Sequence, residues 1–182
     1  ILSNLSPFII GKGKGDIIDI EILKDEEGNP YIPATSFVGA LRHYIEEHYY
    51  KNSSSWDYFW GSKDLQSHFI VSDLKLKENK TEDLVQIRDG IAIDNKKGVA
   101  TEKAKYDYEV VNKKCKFELK AEVKLREGQN LNDILSIIKT SIAELKEGKI
   151  FLGAMTTKGF GRFQLKSERV YVFQFPTDGE KY

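Results

Sequence analysis

A glycine-rich segment near the carboxyl end holds the residues best suited to chemistry in this sequence. Its ten residues, GAMTTKGFGR, contain the glycines Gly153, Gly159 and Gly161 and the cations Lys158 and Arg162. Glycine lets backbone N–H groups approach a ligand closely, and the two cations add positive charge. The pattern therefore predicts a concave site for an anion such as a phosphate backbone, although an ordinary turn between strands explains the same residues.

A second glycine-rich run, GKGKG at residues 11–15, carries Lys12 and Lys14. Flexible backbone and two cations suit contact with phosphate, and a solvated loop tip is an equally good interpretation. The run is not a dinucleotide-binding fingerprint, because no helical pattern follows it.

The candidate carboxylates follow this run. Residues 17–23 alternate between isoleucines on one face and Asp19 and Glu21 on the other, which is typical of a half-buried strand. On spacing alone the two carboxylates are the solvated face of that strand. Asp16 lies in the loop just before it.

Histidines and clustered aromatic residues favour structural roles. His43 and His48 are separated by roughly 140° around a helix axis, so they cannot hold one metal together. His68 has no partner in the sequence. The aromatic cluster at residues 56–60 is typical of core packing, with base stacking as the alternative.

Composition limits the choice of partner. The chain has 182 residues, 40% of them hydrophobic, which predicts one globular domain over residues 1–182. Lys+Arg and Asp+Glu both number 28, so a nucleic-acid site must be a local basic patch. Cys115, the single cysteine, excludes an internal disulfide and a cysteine-rich zinc site.

Location in the cell is inferred from what the sequence lacks. It has no apolar run near 18 residues and no signal-peptide pattern, so we expect a cytoplasmic protein without a membrane partner. Its only methionine is Met155, and the chain starts at Ile1, so we expect residues upstream of it.

The elements that must position these residues alternate along the chain. Strand patterns cover residues 2–10, 17–23, 69–76 and 117–125, and the alternating residues 163–166 form another after the glycine-rich segment. Helical patterns run from a Ser36 cap to about Tyr50 and over 130–146, where Gly148 caps the end. A long polar insertion covers approximately 77–116. The order predicts an α+β fold with a ferredoxin-like (RRM-like) βαββαβ core and an insertion between the two middle strands.

Three segments resemble one protein family. Residues 28–42, GNPYIPATSFVGALR, resemble the signature PYIPGSSLKGALR of the RAMP superfamily, the repeat-associated proteins of CRISPR effector complexes. Residues 88–94, Gly98 and residues 105–111 resemble the insertion of the backbone subunits of type III complexes, and the segment that ends at Arg162 resembles the superfamily's glycine-rich loop. Ala34 and Val38 depart from the first motif, where glycine and lysine are usual, and the second change removes a cation.

The resemblance implies a subunit that polymerises along a guide RNA beside copies of itself or other RAMP subunits. The insertion would then act as a thumb that interrupts the guide–target duplex, while base pairing reads the sequence. The residues expected to contact RNA are Lys12, Lys14, Arg42, Gly153, Lys158, Gly159, Gly161 and Arg162.

The resemblance also implies a catalytic role for Asp19, because catalytic backbone subunits carry an aspartate at the corresponding position. A carboxylate there would hold a transient divalent ion, Mg²⁺ or Mn²⁺, for cleavage of target RNA, with Asp16 as the alternative. Two other functions remain open. One is a structural RNA-binding subunit without nuclease activity, and the other is a metal-independent guide-processing endoribonuclease that uses His43.

Overall fold

The computed structural model describes residues 1–13, 15, 18–49, 54–77, 84–93, 100–126 and 128–173. Within them the chain is a mixed α/β protein with three helices and antiparallel sheets. The helices are α1 Ala34–His48, α2 Ser54–Trp60 and α3 Leu131–Lys146. The strands are β1 Leu2–Asn4, β2 Gly11–Gly13, β3 Glu21–Ile22, β4 Phe69–Val71, β5 Lys75–Leu76, β6 Val85–Ile93, β7 Ala100–Val111, β8 Lys116–Glu118, β9 Ala121–Val123, β10 Ile150–Phe151 and β11 Arg162–Leu165.

A five-stranded antiparallel sheet in the order β10-β11-β1-β8-β5 forms the centre. Leu2 of β1 pairs with Leu165 on one side and with Phe117 on the other, and it is fully buried. Helix α3 contacts β11, and α1 contacts β10. The rings of Phe8, Phe117 and Phe163 meet in the core, with centroids 5.0 Å apart for Phe8–Phe163 and 5.7 Å for Phe8–Phe117. Burying these large side chains is the main favourable contribution to folding.

Helix α1 begins two residues before its predicted cap. Phe37, Leu41 and Ile45 form its buried stripe, as the helical spacing requires. The predicted cap at Ser36 is wrong, because the Asp73 carboxylate accepts the N–H of Ala34 at 2.8 Å and so caps the helix earlier. This cap comes from the segment between β4 and β5, which is remote in sequence.

Helix α3 follows the sequence pattern closely. The Asn130 side chain accepts hydrogen bonds from the N–H groups of Asn132 and Asp133, which is the role of an N-cap. Gly148 ends the helix with φ +65°, a conformation that costs glycine little.

A buried carboxylate links α1 to α3. Glu144 accepts hydrogen bonds from the hydroxyls of Tyr44 and Tyr49, each at 2.7 Å, and from Lys149 Nζ at 3.3 Å. Burial alone would raise the pKa of Glu144, but these donors outweigh it and the pKa is lowered. Burial and the bond to Glu144 raise the pKa of Tyr44 to about 12.

The long insertion contains one antiparallel hairpin, β6–β7, whose register runs from Val85↔Val111 to Ile91↔Lys105 before it shifts. Tyr108, Val110 and Val111 are buried, at 9%, 0% and 0% exposure. The prediction of a polar insertion is therefore wrong at the base of the hairpin, which is part of the core.

The four predicted strands at residues 2–10, 17–23, 69–76 and 117–125 are shorter than expected or divided. Residues 2–10 contain the short strand β1, Leu2–Asn4. Among the described residues of the second range, 18–23, the only strand is β3, and Asp19 lies in a bend before it. Residues 69–76 divide into β4 and β5, and 117–125 into β8 and β9. Each pair divides because β5 and β8 belong to the five-stranded sheet, whereas β4 and β9 pair only with each other. Among the described residues, no helix has the length and apolar character needed to cross a membrane.

Candidate functional site

The glycine-rich loop joins β10 to β11 through a 3-10 turn at Thr156–Lys158. It packs against residues 7–10, where the N–H of Ala154 donates to the Ile9 carbonyl at 2.8 Å and the N–H of Gly161 donates to the Pro7 carbonyl at 2.7 Å. Two of its backbone donors thus serve the fold. The loop is held in place by the chain segment between β1 and β2.

Two of its glycines are required by close backbone contacts within the protein. A Cβ atom on Gly153 would lie 2.1 Å from the Ile9 carbonyl oxygen, and one on Gly161 would lie 2.1 Å from the Leu152 carbonyl oxygen. Both residues also have positive φ, +89° and +77°. Their first role is therefore to let the loop pack, and their contact with RNA stays a prediction.

The outer corner of the loop is formed by Lys158 and Gly159. Gly159 has φ +86°, and a Cβ there would meet nothing within 4 Å, so it faces open space. Lys158 is exposed, and its side chain makes no hydrogen bond or ion pair with any residue that the structure describes. This corner presents a cation and an unobstructed backbone to a ligand.

Arg162 has a structural contact of its own. Its Nε donates to the Gly148 carbonyl at 2.8 Å, next to the end of α3. Its backbone N–H donates to Ser6 Oγ at 3.0 Å. A cation beside the carbonyl end of a helix is stabilising, so this side chain helps to hold α3 against the sheet.

Asp19 is held by the hairpin. Its Oδ2 accepts the backbone N–H of Asp107 in β7 at 3.0 Å, and the residue is exposed. The next residue, Ile20, donates its N–H to the Asp107 carbonyl at 3.2 Å and accepts the N–H of Glu109 at 2.9 Å. The bend that contains Asp19 is therefore positioned by β7.

The same strand also contacts the glycine-rich loop. The Phe160 ring meets Tyr108 edge to face, with centroids 6.4 Å apart, and the guanidinium carbon of Arg88 lies 5.8 Å from the Phe160 centroid. Asp107 and Tyr108 are consecutive, so neighbouring residues of β7 contact Asp19 and the loop. Asp19 and the glycine-rich loop, the two strongest candidates from the sequence, are therefore both positioned against β7.

Comparison with known proteins identifies the family. The model of the RAMP superfamily matches residues 1–164. The chain belongs to the RAMP superfamily. The resemblance found in the sequence is thereby confirmed. No curated protein matches the chain.

Two solved structures share this RAMP fold. One is from the type III-B Cmr-beta complex bound to cognate target RNA, with a TM-score of 0.71, 12% identity, and coverage of 90% of this chain and 94% of the other. The second is from the apo state of type III-B Cmr-beta, with a TM-score of 0.67, 14% identity, and coverage of 91% and 94%. At these identities the likeness shows the fold.

Two other cations predicted to bind RNA, Lys12 and Arg42, have partners within the protein. Lys12 is 54% exposed and forms an ion pair with Glu21. Arg42, the last residue of the first RAMP motif, donates to the Trp60 carbonyl at 3.4 Å and lies 3.6 Å from Glu46, so it ties α1 to the end of α2. Lys14 and Asp16 lie outside the described residues.

The described residues offer no clustered set of metal ligands. In the part of the chain that the structure describes, no group of three or more His, Cys, Asp or Glu residues is placed to hold a metal ion. His48 stacks on Tyr44, and His68 stacks on Tyr58, so both have packing roles. His43 is exposed on α1.

The aromatic cluster at residues 56–60 is core. Its four rings are at most 5% exposed, and they pack α2 against its surroundings. Sequence reasoning did not single out Arg88, Tyr106, Tyr108 or Phe160. A signal was present, since Phe160 stands between two glycines and the two tyrosines alternate within the insertion.

Proposed function

We propose that this chain is a guide-RNA-binding backbone subunit of a type III CRISPR ribonucleoprotein of the type III-B Cmr kind, working in the cytoplasm. Its partners would be guide RNA, target RNA, other RAMP subunits and copies of itself. Membership of the RAMP superfamily supports this, as does a fold shared with subunits of Cmr-beta complexes, one of them bound to cognate target RNA.

One observation carries the proposal: the Asp19 bend and Phe160 of the glycine-rich loop contact consecutive residues of β7, and Phe160 directly follows the outer corner of the loop. The outer corner offers the Lys158 cation and the open backbone at Gly159, which suits a phosphate backbone. Since the chain has equal numbers of acidic and basic residues, such a local feature is what RNA binding requires.

The finer fold assignment belongs to the same proposal. In a ferredoxin-like βαββαβ core the strands would be β1, β5, β8 and β11, with α1 and α3 as the two helices. The order β11-β1-β8-β5 within the sheet supports this plan. Hairpin β6–β7, inserted between β5 and β8, would then be the thumb.

We further propose that the subunit cleaves target RNA with Asp19 at the site of chemistry. The carboxylate is exposed, and the Asp107 N–H orients it through Oδ2. Mg²⁺ is commonly bound by one or two protein carboxylates together with substrate phosphates, so a single aspartate fits this need. Asp19 would be the protein ligand, and a bound Mg²⁺ or Mn²⁺ would lower the pKa of a 2′-hydroxyl or stabilise the scissile phosphate.

Two experiments test these proposals. Nucleic acid should remain with the purified protein after high-salt washing, and removing it should leave a protein that binds single-stranded RNA. Assembled complexes should cut target RNA with Mg²⁺, and Asp19→Asn, which keeps an acceptor for the Asp107 N–H, should abolish the cut. Undiminished cleavage by Asp19→Asn would favour the structural subunit. Cleavage that survives a chelator but fails in His43→Ala would favour guide processing.

A further inference from the structure

Three aromatic rings and one guanidinium meet where the hairpin touches the glycine-rich loop. Phe160 and Tyr106 are half-buried, and Tyr108 lies between them, with centroids 6.4 Å from Phe160 and 5.8 Å from Tyr106. The Arg88 guanidinium carbon lies 5.8 Å from the Phe160 centroid. We call these four residues the junction cluster.

Strand register places the hairpin's share of the cluster on one face. Arg88 pairs with Tyr108, and Gly90 pairs with Tyr106, so all four positions project from the same side of β6–β7. A Cβ on Gly90 would lie 2.3 Å from Tyr106 Cζ, which shows that the ring lies directly on the glycine. Packing against Gly90 and Tyr108 restricts the orientation of the Tyr106 ring.

The junction cluster is more accessible than the two aromatic groups of the core. The rings of Phe8, Phe117 and Phe163 are at most 1% exposed, and those at residues 56–60 at most 5%. Phe160 and Tyr106 both keep part of their surface in solvent. Accessible rings with restricted orientation cost little conformational entropy when they receive a flat ligand.

The neighbouring loop corner supplies what the rings lack. Lys158 is two positions from Phe160, and its side chain makes no ion pair or hydrogen bond with the described residues. Gly159 between them faces open space. A cation for phosphate beside aromatic faces for bases is the combination that proteins use for single-stranded RNA.

We propose that Phe160 and Tyr106, flanked by Arg88, form a stacking platform for an unpaired nucleobase whose phosphate lies at the Lys158–Gly159 corner. The ligand class rests on the proposed function, since the nucleobase belongs to bound RNA. The inference goes further in naming the binding mode and the residues. It predicts a contribution to affinity that does not depend on salt, because stacking releases no counterions.

The test compares two kinds of variant on one probe, a single-stranded RNA of about ten nucleotides that contains 2-aminopurine. Phe160→Leu and Tyr106→Leu, each with apolar volume but no ring, should weaken binding by about 5- to 100-fold with an unchanged slope of log affinity against log salt. Lys158→Ala should instead reduce that slope by roughly one unit. Stacking should quench 2-aminopurine fluorescence on the wild type and not on the leucine variants.

Matched controls separate a lost ring from a damaged fold. Phe160→Trp keeps a stacking face and should bind at least as tightly as the wild type, and Tyr171→Leu removes a ring that is 68% exposed elsewhere and should change nothing. Wild-type affinity and quenching in both leucine variants would overturn the platform while leaving RNA binding intact. A wild-type protein that binds no RNA would overturn the proposed function and the platform together.

Discussion

Substitution by alanine should destabilise the protein more at two glycines of the glycine-rich loop, Gly153 and Gly161, than at the third, Gly159. Gly161→Ala places its Cβ 2.1 Å from the Leu152 carbonyl oxygen, whereas the Cβ of Gly159→Ala meets nothing within 4 Å. Both residues have positive φ, +77° and +86°. The backbone conformation alone costs an L-residue about 1–2 kcal/mol, so this cost is common to both variants. Only the collision distinguishes them.

The collision sets the expected size of the difference. A contact of 2.1 Å between the new Cβ and a backbone carbonyl oxygen cannot be relieved by a rotamer change. The backbone of β10 or of the loop must therefore move. Moving it strains the bond from the Leu152 N–H to the Gly161 carbonyl, which is 2.8 Å long. We therefore expect Gly161→Ala to lower the free energy of unfolding by more than about 3 kcal/mol. The corresponding loss for Gly159→Ala should be about 1–2 kcal/mol.

Urea denaturation followed by circular dichroism measures both losses, and anisotropy of a labelled single-stranded RNA measures binding by the folded fraction. Gly159→Ala should remain folded, and Gly159→Val, whose branched side chain crowds the open corner, should weaken RNA binding. Gly153→Ala, with a Cβ 2.1 Å from the Ile9 carbonyl oxygen, should behave like Gly161→Ala. Equal stability losses at all three positions would refute the assignment of separate roles to these glycines.

Four other substitutions test the rest of the structure. Asp19→Ala removes an exposed side chain, so its free energy of unfolding should change by only about 0.5 kcal/mol, while target-RNA cleavage in the assembled complex should fall by orders of magnitude. The lowered pKa of Glu144 stabilises the fold above the ordinary glutamate pKa, and this stability is lost as pH falls, so Glu144→Gln should flatten the acid limb of a stability–pH profile. The pKa of Tyr44, raised to about 12, makes a contribution that is present below the ordinary tyrosine pKa and lost as pH rises through about 12, so Tyr44→Phe should flatten the alkaline limb. Val110→Ala, at a fully buried site, should lower the free energy of unfolding by about 2 kcal/mol in urea titrations, which checks that the hairpin base belongs to the core.

Features that depend on neighbouring residues could be predicted from the sequence. The Asn130 cap, the Gly148 stop and the buried stripe of α1 each arise within one or two helical turns, where side-chain spacing determines the outcome. The superfamily signature was readable for the same reason, since its motifs are short and contiguous.

Features that depend on remote residues could not be predicted. The start of α1 is decided by Asp73, and the position of Asp19 is decided by the Asp107 N–H, both of which lie far along the chain. Because the Asp19 carboxylate contacts β7, Asp19 lies in a bend, although the alternating pattern of residues 17–23 predicted a strand there. Periodicity shows which side chains are polar, but it does not show which remote backbone segment those side chains will contact.

The two activities proposed for this protein share one support, which explains their proximity. Asp107 donates to Asp19, and Tyr108, the next residue of β7, contacts Phe160 of the glycine-rich loop. Asp19 lies at the edge of β7, where it accepts the backbone N–H of Asp107, whereas the aromatic junction cluster lies on one face of the hairpin. An RNA strand that stacks on the cluster would therefore have to extend to the edge of β7 to reach Asp19. Base recognition and backbone cleavage would then act on different nucleotides of the bound strand.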